Sequence, residues 1–231
     1  MNIISNALGH VLRIIFELVQ NYGLSIILFT IVVKVLLLPL TIKQTKSTKA
    51  MQDIQPKIKE IQTKYKDKPE KQQQEIMKIY TEAKINPLAG CLPLLIQMPI
   101  LIALFSVLRE PVTYGVFVDQ EQLATAAQGF LWVQDLTKPD VILAILSGAT
   151  TFLMQTLMMP KDQQQGSMKM MTYVMTAMML FWGFTFPAGL TLYWTIGNVF
   201  AIAQHYLIMN PLRAKLAVSK EEVDENPRNK K

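Results

Sequence analysis

Five long apolar blocks divide this chain, and they constrain its fold more than any other feature. They lie at 23–42, 87–108, 141–159, 168–186 and 187–209. Each comes close to the roughly 20 residues that a helix needs to cross about 30 Å of hydrocarbon. Inside the blocks the apolar residues lack the amphipathic period of a soluble helix and the alternation of a barrel strand. Only helices or closed barrels satisfy their backbone groups in lipid. The chain therefore reads as an all-α integral membrane protein with five transmembrane helices.

The intervening segments have characters of their own. Residues 1–22 carry Ile3, Ala7, Leu8, Val11, Leu12, Ile15, Leu18 and Val19 at helical spacing, with Asn6, His10, Arg13 and Glu17 opposite. That pattern predicts an amphipathic helix lying in the membrane interface. A cleaved signal peptide is the alternative, but the positive start is missing and Arg13 and Glu17 interrupt the apolar run. Asn21-Tyr22-Gly23 marks a break before the first span. Residues 43–86 are rich in Lys and Gln. Ile54, Ile58, Ile61 and Tyr65 stripe one half; Ile76, Ile79, Tyr80 and Ala83 stripe the other; Lys66 to Pro69 separates them. A helical hairpin closed along the two stripes follows. Pro93 and Pro99 should bend the second span. Residues 109–140 and 160–167 read as loops, and 210–231 as a charged tail.

Basic residues set the orientation. Of the 23 lysines and arginines, eleven lie in 43–86 and six in 210–231, joined by Lys161 and Lys169. Five spans put all of these on one face. The other face holds Arg13, Arg109 and Lys138. Cytoplasmic loops carry the positive excess, so the hairpin and tail are predicted inside and the N-terminal helix outside. The net charge of +6 thus reports topology and contact with the lipid bilayer, with no DNA partner expected. A single cysteine, Cys91, excludes an intramolecular disulfide framework or a multi-cysteine metal site.

Lys34 is the most informative single residue. A lysine near a span's centre costs about 2.5–3.5 kcal/mol on insertion scales, and such residues usually face protein or water. The alternative is snorkelling to the cytoplasmic interface, but Lys43 marks that interface about 13.5 Å further along the helix. Gln97, Thr150, Thr151, Gln155, Tyr193, Trp194, Thr195 and Asn198 supply polar groups to the other spans. Together they could line a wet cavity; any one of them could equally serve an interhelical hydrogen bond. No Asp or Glu lies within a span, and there is no phosphate-binding loop or metal-ligand motif. The reading is a non-enzymatic protein without cofactors. His10 and His205 sit near segment ends as packing or interfacial residues. Methionines crowd 154–179, either as core filling or as an adaptable apolar surface.

Three segments carry a resemblance: LLLPLTIKQTKSTKAMQDIQPKIKEIQTKY at 36–65, NPLAGCLPLLIQMPILIALF at 86–105, and FPAGLTLYWTIGN at 186–198. In these, and in their order and spacing, the chain resembles the YidC/Oxa1/Alb3 membrane protein insertases, in the short bacterial form. The resemblance implies a hydrophilic groove in the bilayer, open to the cytoplasm and to lipid and closed outside. It also implies a location in the bacterial plasma membrane. A positive residue five positions before the proline of the PL motif sits in that groove; it is usually arginine, and here it is Lys34, which keeps the charge without the bidentate fork. The groove glutamine matches Gln155, and the aromatic of the LYW motif matches Trp194. Gln97, Tyr193 and Asn198 complete the expected groove set. The large extracytoplasmic domain of long forms is not expected, and without a lipobox cysteine near the start neither is lipid anchoring. Implied partners are nascent membrane proteins, with the Sec translocon and the ribosome as candidates. The rival readings are a small-solute transporter or channel, which would bring inverted repeats or carboxylates in broken spans, and a passive scaffold acting through the hairpin.

Overall fold

The computed structural model describes residues 2–83, 92–158 and 167–209. Expectations that fall on 84–91, including Cys91, on the 159–166 loop with Lys161, and on the 210–231 tail lie outside the described residues. The chain divides into two compact units, one of residues 1–36 and 102–231, the other of 37–101.

The first unit begins with α1 (Asn2–Val19) and α2 (Tyr22–Leu36). α1 buries Ser5, Gly9, Leu12 and Phe16 on one face and leaves Ile3, Ile14 and Leu18 exposed on another. The predicted break falls slightly earlier than expected. Gln20 adopts a left-handed backbone (φ 56), and the Asn21 side chain caps α2 by accepting from the Leu24 amide at 2.9 Å. Tyr22 and Gly23 are already helical. The end of α6 (Leu92–Arg109) leads into a segment expected to be an open loop. It instead holds α7 (Gln120–Ala126), capped by Asp119, and an antiparallel hairpin of β1 (Gln128–Phe130) and β2 (Val133–Asp135). The fold remains all-helical in class, and the expectation of an open loop at 109–140 is corrected. A left-handed Gly129 and the short alternation Phe130/Val133 make the hairpin, a signal too brief to outweigh its helical surroundings.

α8 (Val141–Met158), α9 (Ser167–Gly183) and α10 (Ala188–Gln204) complete this unit, and α10 runs on as a π-helical turn, His205–Met209. α9 packs on α8, α8 on α10, α10 on α2 and α2 on α1. Small residues permit the close crossings: a side chain on Gly183 would strike the backbone of Ala144. The unit is apolar outside, and its largely apolar core also holds a set of hydroxyls. Ser25, Thr30, Ser147, Thr151, Thr191 and Thr195 are buried. Several return their hydroxyls to their own helix, as Thr30 does to the Ile26 carbonyl at 2.6 Å and Thr195 to Thr191 at 2.9 Å. Large apolar residues of α2, α8 and α9 face outward, among them Leu36, Ile145, Val174 and Phe181. A surface of that kind suits lipid rather than water.

Aromatic contacts tie several of these elements together. Phe117 meets Phe16 and Tyr22 edge-on at 4.9 and 5.0 Å, and Phe105 meets Phe186 at 5.3 Å. The first amides of α10 bond outside their own helix: Ala188 donates to the Lys138 carbonyl at 2.8 Å and Gly189 to that of Leu136 at 2.9 Å. Asp135 anchors the same stretch. Partial burial works to raise its pKa, but the Thr137 hydroxyl and amide and the Lys138 ammonium outweigh this and hold the carboxyl below its ordinary range.

Among the described residues no helix is long and apolar enough to cross a membrane. The helices run 15 to 18 residues, about 27 Å at most by the helical rise. The described parts of α6, α8 and α9 border residues outside the described set.

In the second unit, α3 (Leu38–Asp53) follows a turn at Leu37. Pro39 has no amide to give the carbonyl of Val35, and the helix steps there. α4 (Gln55–Lys64) restarts at Ile54 with a proline in its first turn, and α5 (Pro69–Glu82) returns alongside it. The hairpin is thus three helical pieces where the sequence predicts two. Ile54 and Ile58 are buried as expected, while Ala83 is exposed and α5 buries no residue fully. The Gln72 side chain bridges to the Gln62 carbonyl at 3.0 Å, and Lys64 and Lys71 sit over the Tyr65 ring at 5.6 and 5.3 Å.

Candidate functional site

Lys34 lies on the last turn of α2, half-buried, next to the buried Val33. Its stem rests on α10 at Gly197: a β-carbon there would stand 3.3 Å from Cε and 3.7 Å from Nζ. Glycine at this point lets an aliphatic stem cross the helix backbone. Among the described residues the ammonium has neither an ion pair nor a hydrogen bond. A cation so placed attracts negative charge strongly, because screening falls away with water.

The neighbouring face of α10 is tied to α8. Trp194 and Asn198, four residues apart, share one face of the helix. The Trp194 indole donates to the Thr151 hydroxyl at 3.1 Å. The Trp194 N–H and the Thr151 backbone N–H both point at one Asn198 amide atom at 3.3 Å, so that atom is the oxygen. It accepts the Thr151 hydroxyl proton at 2.9 Å, which makes a relay from indole to hydroxyl to amide. The Thr150 hydroxyl, 3.2 Å from the same amide, also returns to the Leu146 carbonyl at 2.7 Å. Asn198 and Thr151 are buried; Trp194 and Thr150 are half-buried.

The structure thus brings Thr150, Thr151, Trp194 and Asn198 into one network and sets Lys34 against the same helix. Gln155 stands one turn beyond Thr151 on α8, half-buried. Tyr193 is buried in the core rather than presented at a surface, and so is Thr195, whose hydroxyl is spent on Thr191. The side chain of Gln97, on α6, lies outside the described residues. Gly197 was not among the expected site residues. Its signal was present as the one glycine between polar positions of LYWTIGN, but a glycine in an apolar block looks like any helix-packing position until its neighbour is known.

These groups offer a positive charge, hydroxyls, an indole N–H and an amide. A cation among hydrogen-bonding groups suits reversible binding of a polar or acidic chain. Among the described residues no group of three or more His, Cys, Asp or Glu is placed to hold a metal ion.

Residues 14–215 match the family described as 60Kd inner membrane protein. A membrane protein insertase YidC of Clostridium perfringens is 46% identical over 217 residues, covering 90% of this chain and 87% of its own. One from Oceanobacillus iheyensis is 45% identical over 208 residues, 85% of this chain and 77% of that one. The insertase MisCA of Bacillus subtilis is 44% identical over 199 residues, 83% and 72% of the two chains. Among solved structures, an active YidC insertase with its first transmembrane domain resolved aligns with a TM-score of 0.67 at 30% identity. That match covers 88% of this chain and 46% of the solved one, so the chain spans about half of it.

Proposed function

Because the chain belongs to the 60Kd inner membrane protein family, the family of the YidC insertases, we propose that it inserts nascent membrane proteins into the bilayer along a polar groove walled by α2, α10 and α8. The observation that carries this reading is Lys34, a cation with no ion pair or hydrogen bond among the described residues, held on the small surface of Gly197 on the helix that carries Trp194 and Asn198 of the hydrogen-bonded network. A substrate's polar or acidic tail enters from the cytoplasm, and the ammonium and the hydrogen-bonding groups lower the cost of taking it out of water. The apolar segment then leaves sideways into lipid. Substrate hydrophobicity and the membrane potential supply the drive, with no nucleotide, metal or covalent step. Lys34, Gln97, Gln155, Trp194 and Asn198 form the groove set in this proposal, with Tyr193 behind them.

In the same reading the five spans are 23–42, 87–108, 141–159, 168–186 and 187–209, built on α2, α6, α8, α9 and α10. α1 lies on the outer interface, and the 43–86 hairpin and the 210–231 tail lie in the cytoplasm. Eleven lysines against six acidic residues make the hairpin the stronger candidate for ribosomal contact; the tail has six basic against four acidic. The Sec translocon is a further candidate partner.

The test is reconstitution of the purified chain alone in liposomes, with a photo-crosslinker at position 155. A single-span substrate with a short acidic outer tail should gain protease protection and be captured by the crosslinker. Protection no better than in empty liposomes overturns the proposal.

A further inference from the structure

The turn between β1 and β2 is built at odds with its own backbone. Only Leu131 and Trp132 join Phe130 to Val133. Leu131 is left-handed (φ 54), while Trp132 is not. The first central position of such a two-residue turn ordinarily takes glycine, and a leucine there is strained. The strained leucine gains little packing within the protein, since Leu131 is 74% exposed, and much of the Trp132 ring beside it, 44% exposed, faces outward too. Strain combined with outward apolar display points to something outside the chain.

The tip is also held firmly. Phe130 fills the space beside Gly23 at the start of α2, where no side chain could fit. Val133 is buried. The Trp132 indole donates to Asp140 Oδ1 at 3.2 Å, and the same oxygen accepts the Leu143 amide at 2.8 Å as the cap of α8. One carboxylate oxygen therefore fixes the tip level with the first turn of α8. From that turn Val141, Ile142 and Ile145 face outward, each at least half exposed. The apolar display of the tip thus continues into the outward apolar face of a proposed span.

We infer that Leu131 and Trp132 form an apolar tip seated in the headgroup region of the outer leaflet, locking the hairpin to the lipid as α8 enters it. This rests on the reading of α8 as a span with Val141 at its outer end. A tryptophan with its N–H satisfied and its ring face free suits that depth. A protein partner or a second copy is disfavoured by the continuity with α8's outward face, and it remains an outcome of the test.

The test uses Cys91→Ser, which leaves no cysteine, with single spin labels introduced by Leu131→Cys, Ile145→Cys and Gln134→Cys in the full chain reconstituted in liposomes. Collisions with oxygen report lipid, and collisions with a nickel chelate report water. We expect the label at 145 to favour oxygen, the label at 134 to favour nickel, and the label at 131 to show an oxygen-to-nickel ratio several-fold above that at 134. A lipid-like label at 145 with a water-like label at 131 overturns the inference and leaves the span intact. Water-like labels at both overturn the reading of α8 and the inference with it. A label at 131 shielded from both probes means protein contact and also overturns it. To avoid altering the turn, Trp132 is left as the single tryptophan by Trp182→Phe and Trp194→Phe, and its emission is followed with lipids brominated near the carbonyl. Strong quenching supports the inference; absence of quenching overturns it.

Discussion

Lys34 Cε lies 3.3 Å from where a β-carbon on Gly197 would stand, so the stem of the cation and the bare backbone of α10 occupy adjoining space. The charge is thereby carried on the packed face between two helices instead of on a freely moving side chain. Its position is set by a residue that contributes no side-chain atom.

The charge itself should matter to substrates with acidic outer tails. At an effective dielectric of about 20, two unit charges about 8 Å apart attract by about 2 kcal/mol. Lys34→Ala should slow insertion of such substrates by roughly tenfold or more, Lys34→Glu should slow it further, and Lys34→Arg should retain it. Rates of protease protection in liposomes supply the measurement. Equal rates for the three variants would remove the electrostatic role.

Gly197 should behave as a positioning residue. An alanine β-carbon at 3.3 Å asks the flexible Lys34 stem to shift by only tenths of an ångström, so Gly197→Ala should cost little. Gly197→Leu has no such room and should displace the ammonium. Its insertion rate for acidic-tailed substrates should fall to that of Lys34→Ala, while neutral-tailed substrates are affected less. A uniform loss across both substrate types would indicate general damage to packing.

The relay between α8 and α10 should contribute modestly to stability. Interhelical hydrogen bonds in membranes average about 0.6 kcal/mol, with about 1.7 at the upper end. Thr151→Val removes the central member and should cost about 1 kcal/mol; Trp194→Phe removes one donor and should cost about 0.6. Combined, they should be less than additive, because both delete the same 3.1 Å bond. Detergent or steric-trap unfolding measures this, and strict additivity would contradict the relay.

The hairpin should exchange its amides faster than α8 and α10. Ile54 and Ile58 are its buried apolar residues among those described, and its Glu75–Lys78 pair at 2.7 Å is exposed. Exposed pairs of this kind add only a few tenths of a kcal/mol, so local opening is cheap. Ile58→Asp should abolish the residual protection of α4 and α5 without changing that of α8. Protection across 55–82 equal to that of α8 would refute this.

Much of the molecule was legible in the sequence because it follows from solvent preference along the chain. Long apolar blocks, a two-faced first helix, a lysine-rich hairpin and a lysine inside an apolar block can all be read residue by residue. Lys34, Trp194 and Asn198 were found in this way, since a polar group in an apolar run is conspicuous wherever it ends up. Tertiary structure decided what each one meets. Tyr193 and Trp194 are neighbours in one motif, yet one is buried in the core and the other bonds to Thr151, because successive residues point about 100° apart around a helix and only packing says which direction is inward. The seat of Lys34 on Gly197 joins residues more than 160 positions apart, and a glycine reveals nothing locally about what it makes room for. The β-hairpin was hidden for a related reason. Its strands are three residues each; Phe130 seats against Gly23, Asp140 holds the Trp132 of the turn, and the start of α10 bonds to Leu136 and Lys138 just after β2, contacts that no local pattern encodes.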